Sequence, residues 1–213
     1  LNEKLKVPFK EEVNETYLEK FLYEINHLPE FDEIVNLQEI KDKFKLIFEN
    51  PVKFKIHAFR ALLPLNIKKN YPWHQDEGSW YLTNDKELHN KLLGIMWLSI
   101  NGSNSENSIN LLKNFHSKSK LLRHRFRKGI GYFDAKIGKN FDKNLIHYVE
   151  TNPGEALIFH SLTLHKSADQ KKTNRFIPRY SIDIRYYDKN KILNYEVDTI
   201  FIIEKFLKKF KIT

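Results

Sequence analysis

The feature that most constrains the fold of this chain is a series of short apolar segments that begins near residue 53. These segments alternate apolar and polar residues, or form brief apolar runs, which is typical of β-strands. Sequences rich in Gly, Asn and Pro, such as 101–104 and 152–154, separate several of them and predict turns. The predicted strands cover residues 53–63, 92–100, 109–112, 131–135, 146–150, 156–160 and 176–187.

Helices are predicted on both sides of these strands. Thr16 and Glu19 have capping-box spacing, and apolar residues follow at helical intervals up to Ile25. A second helix is predicted from Leu37 to Phe48. Residues 199–211 set apolar side chains against four lysines, as in an amphipathic helix that packs on the core or forms a homodimer interface.

We therefore predict one domain over residues 1–213, mainly β with flanking helices. Residues 1–50 form its helical beginning and residues 188–213 its C-terminal helical segment. Residues 53–187 form a jelly-roll, or double-stranded β-helix, core of the cupin-like kind.

Composition limits the chemistry of this domain. The chain has no cysteine, which excludes a disulfide scaffold, a zinc–thiolate site and a cysteine nucleophile. Any metal would be held by His, Asp and Glu, which suit ions such as Fe(II), Mn and Zn. No apolar run approaches the roughly 20 residues of a membrane-spanning helix. We expect a cytoplasmic protein with no transmembrane segment.

The net charge of +9 permits binding to nucleic acid or to an anionic surface. The charges are, however, spread along the chain, and a general bias towards Lys and Asn explains them more simply. The densest basic cluster, 118–128, is predicted to be solvated surface. Alternatively, this cluster binds an anionic group of a ligand, such as a phosphate or coenzyme A.

Candidate metal ligands lie in two places. His74 and Asp76 are two residues apart, so on a strand their side chains would share a face and reach one ion. Such pairs are common at surfaces and carry little weight alone. A predicted strand also leads to His160 and His165, and a distal His added to the pair gives a two-His-one-carboxylate set with open positions on Fe(II). The alternative for either His is a hydrogen-bonded core residue.

The last predicted core strand alternates charged and apolar residues. Arg179, Ser181, Asp183 and Arg185 share one of its faces. An inward-facing arginine near an iron site suits bidentate binding of a carboxylate. An outward salt-bridge ladder is the alternative.

Together these motifs resemble the phytanoyl-CoA dioxygenase-like branch of the Fe(II)- and 2-oxoglutarate-dependent oxygenases. The resemblance covers about residues 54–187 and rests on H-Q-D, a downstream Trp, F-H-x4-H-x-S and R-x-S. It implies that His74, Asp76 and His165 bind iron and that Arg179 binds the distal carboxylate of 2-oxoglutarate. Arg175 is a rival for that role, because the spacing from His165 to Arg179 is about three residues longer than usual.

The resemblance also implies contacts around the cosubstrate and the substrate. The residues expected near 2-oxoglutarate are Gln75, Trp97 and Ser181. Trp73, Trp80 and Tyr81 flank the predicted metal strand and are therefore expected to line the substrate pocket, with packing in the core as the alternative. His160 is also expected in this pocket and is not a metal ligand in the family.

The implied reaction uses Fe(II), 2-oxoglutarate and O2 to hydroxylate a small molecule, with release of succinate and CO2. The substrate would be acyl, lipid-like, sugar-derived or amino-acid-derived. Arg179 and Arg185 also have the spacing of the paired arginines in AlkB-type nucleic-acid demethylases, but H-Q-D and F-H-x4-H-x-S favour the small-molecule branch. A degenerate jelly-roll binding domain without catalysis is the second alternative.

Overall fold

The computed structural model of the protein describes residues 15–55, 57–62, 70–83, 91–127, 132–137, 142–169 and 178–198. Its helices are α1 (Glu15–Asn26), α2 (Pro29–Val35), α3 (Gln38–Lys45) and α4 (Asp76–Thr83). Single 3-10 turns occupy His116–Lys118 and Lys143–Leu145. Within these residues no helix is long and apolar enough to cross a membrane.

The remaining regular structure consists of β-strands. They are β1 (Pro51–Lys53), β2 (Ala58–Leu62), β3 (Lys91–Ser99), β4 (Ile109–Leu112), β5 (Lys120–Leu121), β6 (His124–Arg127), β7 (Tyr132–Ala135), β8 (Ile146–Tyr148), β9 (Ala156–His160), β10 (His165–Ser167), β11 (Arg179–Ile192) and β12 (Glu196–Val197).

Two antiparallel sheets form the centre of the molecule. The larger sheet has the order β1-β11-β3-β9, and β2 also pairs with β11. The smaller sheet has the order β10-β4-β8, and an isolated bridge joins His74 to His165 at its edge. The predicted mainly β architecture is confirmed, and the two antiparallel sheets are consistent with a jelly-roll-like fold.

Both faces of the larger sheet are covered, and they pack against different parts of the molecule. On the face that the helices cover, Ile182 and Ile184 of β11 pack with Phe44 of α3, and all three side chains are fully buried. The opposite face of the sheet looks towards the smaller sheet, where Trp97 of β3 packs against Ile109 of β4. The helices therefore close one side of the larger sheet and leave its inner face free to form a site.

Several elements differ from the sequence-based predictions. The predicted strand at 53–63 is two strands, β1 and β2, which pair with different parts of β11. The basic cluster at 118–128 contains β5 and β6, and Lys118, Lys120 and Arg125 are exposed as predicted, although the neighbouring Leu121 and His124 are buried.

The C-terminal prediction is wrong where it can be compared. Residues 188–192 continue β11, and Glu196–Val197 pairs in parallel with Lys120–Leu121. The predicted amphipathic helix at 199–211 lies outside the described residues. The homodimer that depends on this helix stays a prediction, as does the cytoplasmic location.

Candidate active site

His74, Asp76 and His165 converge at the edge of the smaller sheet. The two histidines exchange backbone hydrogen bonds, from His74 N–H at 2.8 Å and from His165 N–H at 2.9 Å. The Nε2 atom of each imidazole lies 3.6 Å from Oδ1 of Asp76. Potential ligand atoms of the three side chains all lie within 4.8 Å of one another, so a single ion fits among them.

Hydrogen bonds fix which nitrogen each histidine presents. Nδ1 of His74 lies 2.8 Å from the carbonyl oxygen of Pro72, and Nδ1 of His165 lies 2.9 Å from that of Thr163. A carbonyl only accepts, so each Nδ1 carries the proton and each Nε2 keeps its lone pair for a metal. Burial, together with the neighbouring His165, lowers the pKa of His74 to about 3, which keeps the ring neutral as metal binding requires.

Asp76 does not lie on a strand with His74, so this part of the sequence-based prediction is wrong. It is the first residue of α4, immediately after the bridge that holds His74. An acidic residue is favourable in a first helical turn because of the helix dipole. Burial acts to raise the pKa of Asp76, but Arg185 and the two histidines outweigh it and hold the pKa at about 2. The carboxylate is therefore ionised at neutral pH.

Gln75 supports the turn between these two ligands. Its amide nitrogen donates to the carbonyls of Lys120 and Leu162, and its amide oxygen accepts from Leu122 N–H, each at 2.9 Å. Its backbone N–H donates to Nε2 of the buried His124, also at 2.9 Å. The structure thus gives Gln75 a supporting position, and its contact with a cosubstrate stays a prediction.

Gly78 allows α4 to pack directly on His124. A Cβ atom at Gly78 would clash with Nδ1 of His124, whose ring is held by hydrogen bonds on both nitrogens. We expect Gly78→Ala to lower the free energy of unfolding by about 1–3 kcal/mol through overpacking, measured by urea denaturation. Glu39→Ala, at an exposed position of α3, is the control and should change it by less than about 0.5 kcal/mol. If Gly78→Ala had the same free energy of unfolding as the wild type, the His124 ring would have to be able to move away from the added methyl group.

A cavity of about 80 Å³ lies beside the three ligands, between the two sheets. Arg179, Asp183 and Arg185 of β11 line it, which confirms that these residues share an inward face. The outward salt-bridge ladder is therefore wrong. Further lining residues come from β2, β3, β9, the smaller sheet and the segment before His74, and they include Arg60, Tyr71, Trp97 and Phe159.

Arg179 is a buried cation held by neutral groups. Its side chain donates to Oγ of Ser181 at 2.7 Å and to the carbonyl of Asn107 at 3.1 Å, and its guanidinium lies 5.0 Å from the ring centre of Trp97. Burial lowers the pKa of Arg179 to about 10, so it stays charged at neutral pH. None of the carboxylates in the described part of the chain forms an ion pair with it. A buried cation of this kind is suited to an anionic ligand.

The other predicted site residues lie in different places. Trp97 is 2% exposed, lines the cavity, and has an indole N–H that no described residue accepts. Arg175 lies outside the described residues. The remaining four do not line the cavity: Trp73, Trp80 and Tyr81 pack in three separate apolar clusters, and His160 stacks on His116 beside another groove. Their predicted role in the substrate pocket stays a prediction.

Arg60 and Tyr71 are among the cavity residues that the sequence analysis missed. Arg60 of β2 donates to Oδ2 of Asp183 and to the hydroxyl of Tyr71, each at 2.9 Å. A charged residue within the apolar segment 53–63 was the available signal for Arg60. Tyr71 stands three residues before His74, but its residue type alone did not distinguish it from a core aromatic.

Residues 10–175 match the family model described as phytanoyl-CoA dioxygenase (PhyH). The chain belongs to the phytanoyl-CoA dioxygenase family. Family members are oxidoreductases that use Fe(II), 2-oxoglutarate and O2. The match includes His74, Asp76 and His165 but ends before Arg179, whose binding of 2-oxoglutarate stays a prediction.

Solved structures share the fold of this phytanoyl-CoA dioxygenase family member. EvdO2 from Micromonospora carbonacea var. aurantiaca, complexed with 2-oxoglutarate, is 18% identical with a TM-score of 0.54, and the alignment covers 84% of this chain and 68% of EvdO2. The apo form of the non-heme monooxygenase ThoJ is 17% identical with a TM-score of 0.56, covering 75% of this chain and 55% of ThoJ. No curated protein sequence matches the chain.

The site fits the cofactors of the phytanoyl-CoA dioxygenase family. Two imidazoles with free Nε2 atoms and one ionised carboxylate form the donor set that Fe(II) oxygenases use. Arg179 adds a buried cation in the wall of the same cavity. The three potential iron ligands and this buried cation therefore line the same cavity.

Proposed function

We propose that this protein hydroxylates a small molecule, with 2-oxoglutarate converted to succinate and CO2. The observation that carries the proposal is the convergence of His74, Asp76 and His165 on the cavity that also contains Arg179. A degenerate binding domain would not be expected to keep a complete donor set together with a buried cation that has no ion-pair partner among the described residues.

The protein's own groups supply binding and orientation. His74, Asp76 and His165 would hold Fe(II), which supplies the activation of O2 coupled to decarboxylation of the cosubstrate. Arg179 would bind the distal carboxylate of 2-oxoglutarate through the N–H groups that Ser181 and Asn107 do not use. Those two partners fix the guanidinium before the ligand arrives, which reduces the entropic cost of binding.

The surroundings of Arg185 favour a small molecule over nucleic acid as the substrate. The AlkB-like spacing of Arg179 and Arg185 has a local explanation, because Arg185 contacts the carboxylates of Asp76 and Asp183 inside the cavity. Arg185 is only 8% exposed, so it is not presented to a phosphate backbone.

The test is formation of succinate by the iron-loaded protein in air. Wild type should convert 2-oxoglutarate to succinate slowly without a substrate and faster with an accepted one, whereas His165→Ala should form none above background. We would screen acyl, sugar-derived and amino-acid-derived compounds alongside single-stranded oligonucleotides. Stimulation by oligonucleotides that falls steeply between 50 and 200 mM salt, as phosphate contacts require, would favour the nucleic-acid alternative.

A further inference from the structure

Asp76 uses its two carboxylate oxygens in different ways. Oδ1 faces both histidines at 3.6 Å, whereas Oδ2 lies 3.2 Å from Nη2 of Arg185. Arg185 belongs to β11 of the larger sheet, so this contact joins the metal-ligand helix α4 to the opposite side of the cavity. Both residues are at least nine-tenths buried.

We propose that Arg185 is a positioning residue that limits Asp76 to one metal-binding oxygen. The inference rests on the proposed function, because it concerns the same metal site. A carboxylate can bind a metal through one oxygen or through both. Binding through both would occupy a position that the facial set of ligands otherwise leaves open for the cosubstrate or O2. By engaging Oδ2, Arg185 preserves the open positions.

Arg185 is itself held in a fixed place. Its Nη2 atom lies 3.7 Å from Oδ2 of Asp183, and that oxygen also accepts from Nε of Arg60 at 2.9 Å. The backbone of Arg185 pairs with Ile95 in β3, and that of Asp183 pairs with Trp97. Alternating charges therefore run from β2 through β11 to the metal ligand. A planar guanidinium can contact two carboxylates at once, which a lysine ammonium does not reproduce with the same geometry.

A positioning role and a purely electrostatic role of Arg185 predict opposite changes in metal affinity when its side chain is removed. Arg185 is a cation next to a site for a cation, so a purely electrostatic role predicts tighter metal binding without it. A positioning role predicts weaker binding, because Asp76 loses the partner that orients it. The sign of the change in metal affinity therefore separates the two.

The experiment measures Mn(II) affinity of the apo-protein by calorimetry, without 2-oxoglutarate and without O2. We expect Arg185→Met to weaken Mn(II) binding by about 10–100-fold, the usual effect of losing an outer-shell partner. Lys191→Met is the control, because it removes the same charge from the same strand but contacts Glu49 outside the cavity. It should change the affinity by less than about threefold, since no partner of a metal ligand is lost.

A second variant, Arg185→Lys, keeps the charge and protects the test against misfolding of Arg185→Met, which thermal unfolding would reveal. Positioning predicts weaker Mn(II) binding by Arg185→Lys, and charge alone predicts unchanged binding. Wild-type affinity or better in a folded Arg185 variant overturns the inference and leaves the proposed function standing. Failure of the wild type itself to bind Mn(II) overturns the proposed function, and the inference with it.

Discussion

His74→Ala is expected to remove stoichiometric Fe(II) binding. The substitution deletes one of two imidazole ligands whose Nε2 atoms lie 3.6 Å from the same carboxylate oxygen. The remaining His and Asp would leave the ion with incomplete protein ligation. We expect an affinity loss of more than about 100-fold, beyond the usual effect of losing an outer-shell partner, measured by anaerobic titration of the apo-protein.

His116→Ala is the control for this substitution. His116 is an exposed histidine that stacks on His160 and lies beside a separate groove, so its removal should leave iron binding unchanged. Thermal unfolding of both variants would show that each is folded. Retention of one tightly bound iron per chain by folded His74→Ala would refute the assignment of the metal ligands.

Arg179→Ala should weaken 2-oxoglutarate binding while leaving the metal in place. The guanidinium is 4% exposed, lies in the cavity wall, and forms no ion pair with the described carboxylates. Loss of one partner of a buried, hydrogen-bonded charge pair costs about 2–5 kcal/mol. At about 3 kcal/mol the dissociation constant for 2-oxoglutarate would rise roughly 100-fold. Calorimetry on the Mn(II)-loaded protein measures it.

Arg175→Ala provides the comparison that decides between the two arginines. If Arg179 binds the distal carboxylate, Arg175→Ala should keep the 2-oxoglutarate affinity of the wild type. Arg179→Lys should fall between wild type and Arg179→Ala, because it retains the charge but not the two-pronged geometry. Normal binding by Arg179→Ala together with weak binding by Arg175→Ala would transfer the role to Arg175.

The metal centre was the most predictable part of the site. His74, Asp76 and His165 were proposed because the H-Q-D pair and the distal His resemble the metal motif of the family, and because these residue types suit Fe(II). The local structure of the pair was predicted wrongly, since Asp76 begins α4. The residue types of His74 and Asp76 do not determine whether the backbone between them continues as a strand or begins a helix. That choice depends on long-range contacts, such as the bond from Gln75 N–H to His124.

The charged residues around the ligands were harder to predict. Alternation placed Arg179, Asp183 and Arg185 on one face correctly, but it did not determine whether that face pointed inwards. The direction depends on which face of β11 the helices cover. The contacts of Phe44 with β11 determine this, and they form only when the chain folds. The ion pair between Arg185 and Asp76 joins residues 109 positions apart and has no local sequence signal.

The anaerobic complex with Fe(II) and 2-oxoglutarate tests the central claim most directly. Apo-protein mixed with Fe(II) and then with 2-oxoglutarate should develop the visible charge-transfer band of the iron chelate. The band should be absent in His74→Ala and weakened in Arg179→Ala at the same ligand concentration. A folded wild-type protein that develops no band and retains no iron would contradict the assignment of this cavity as an oxygenase site.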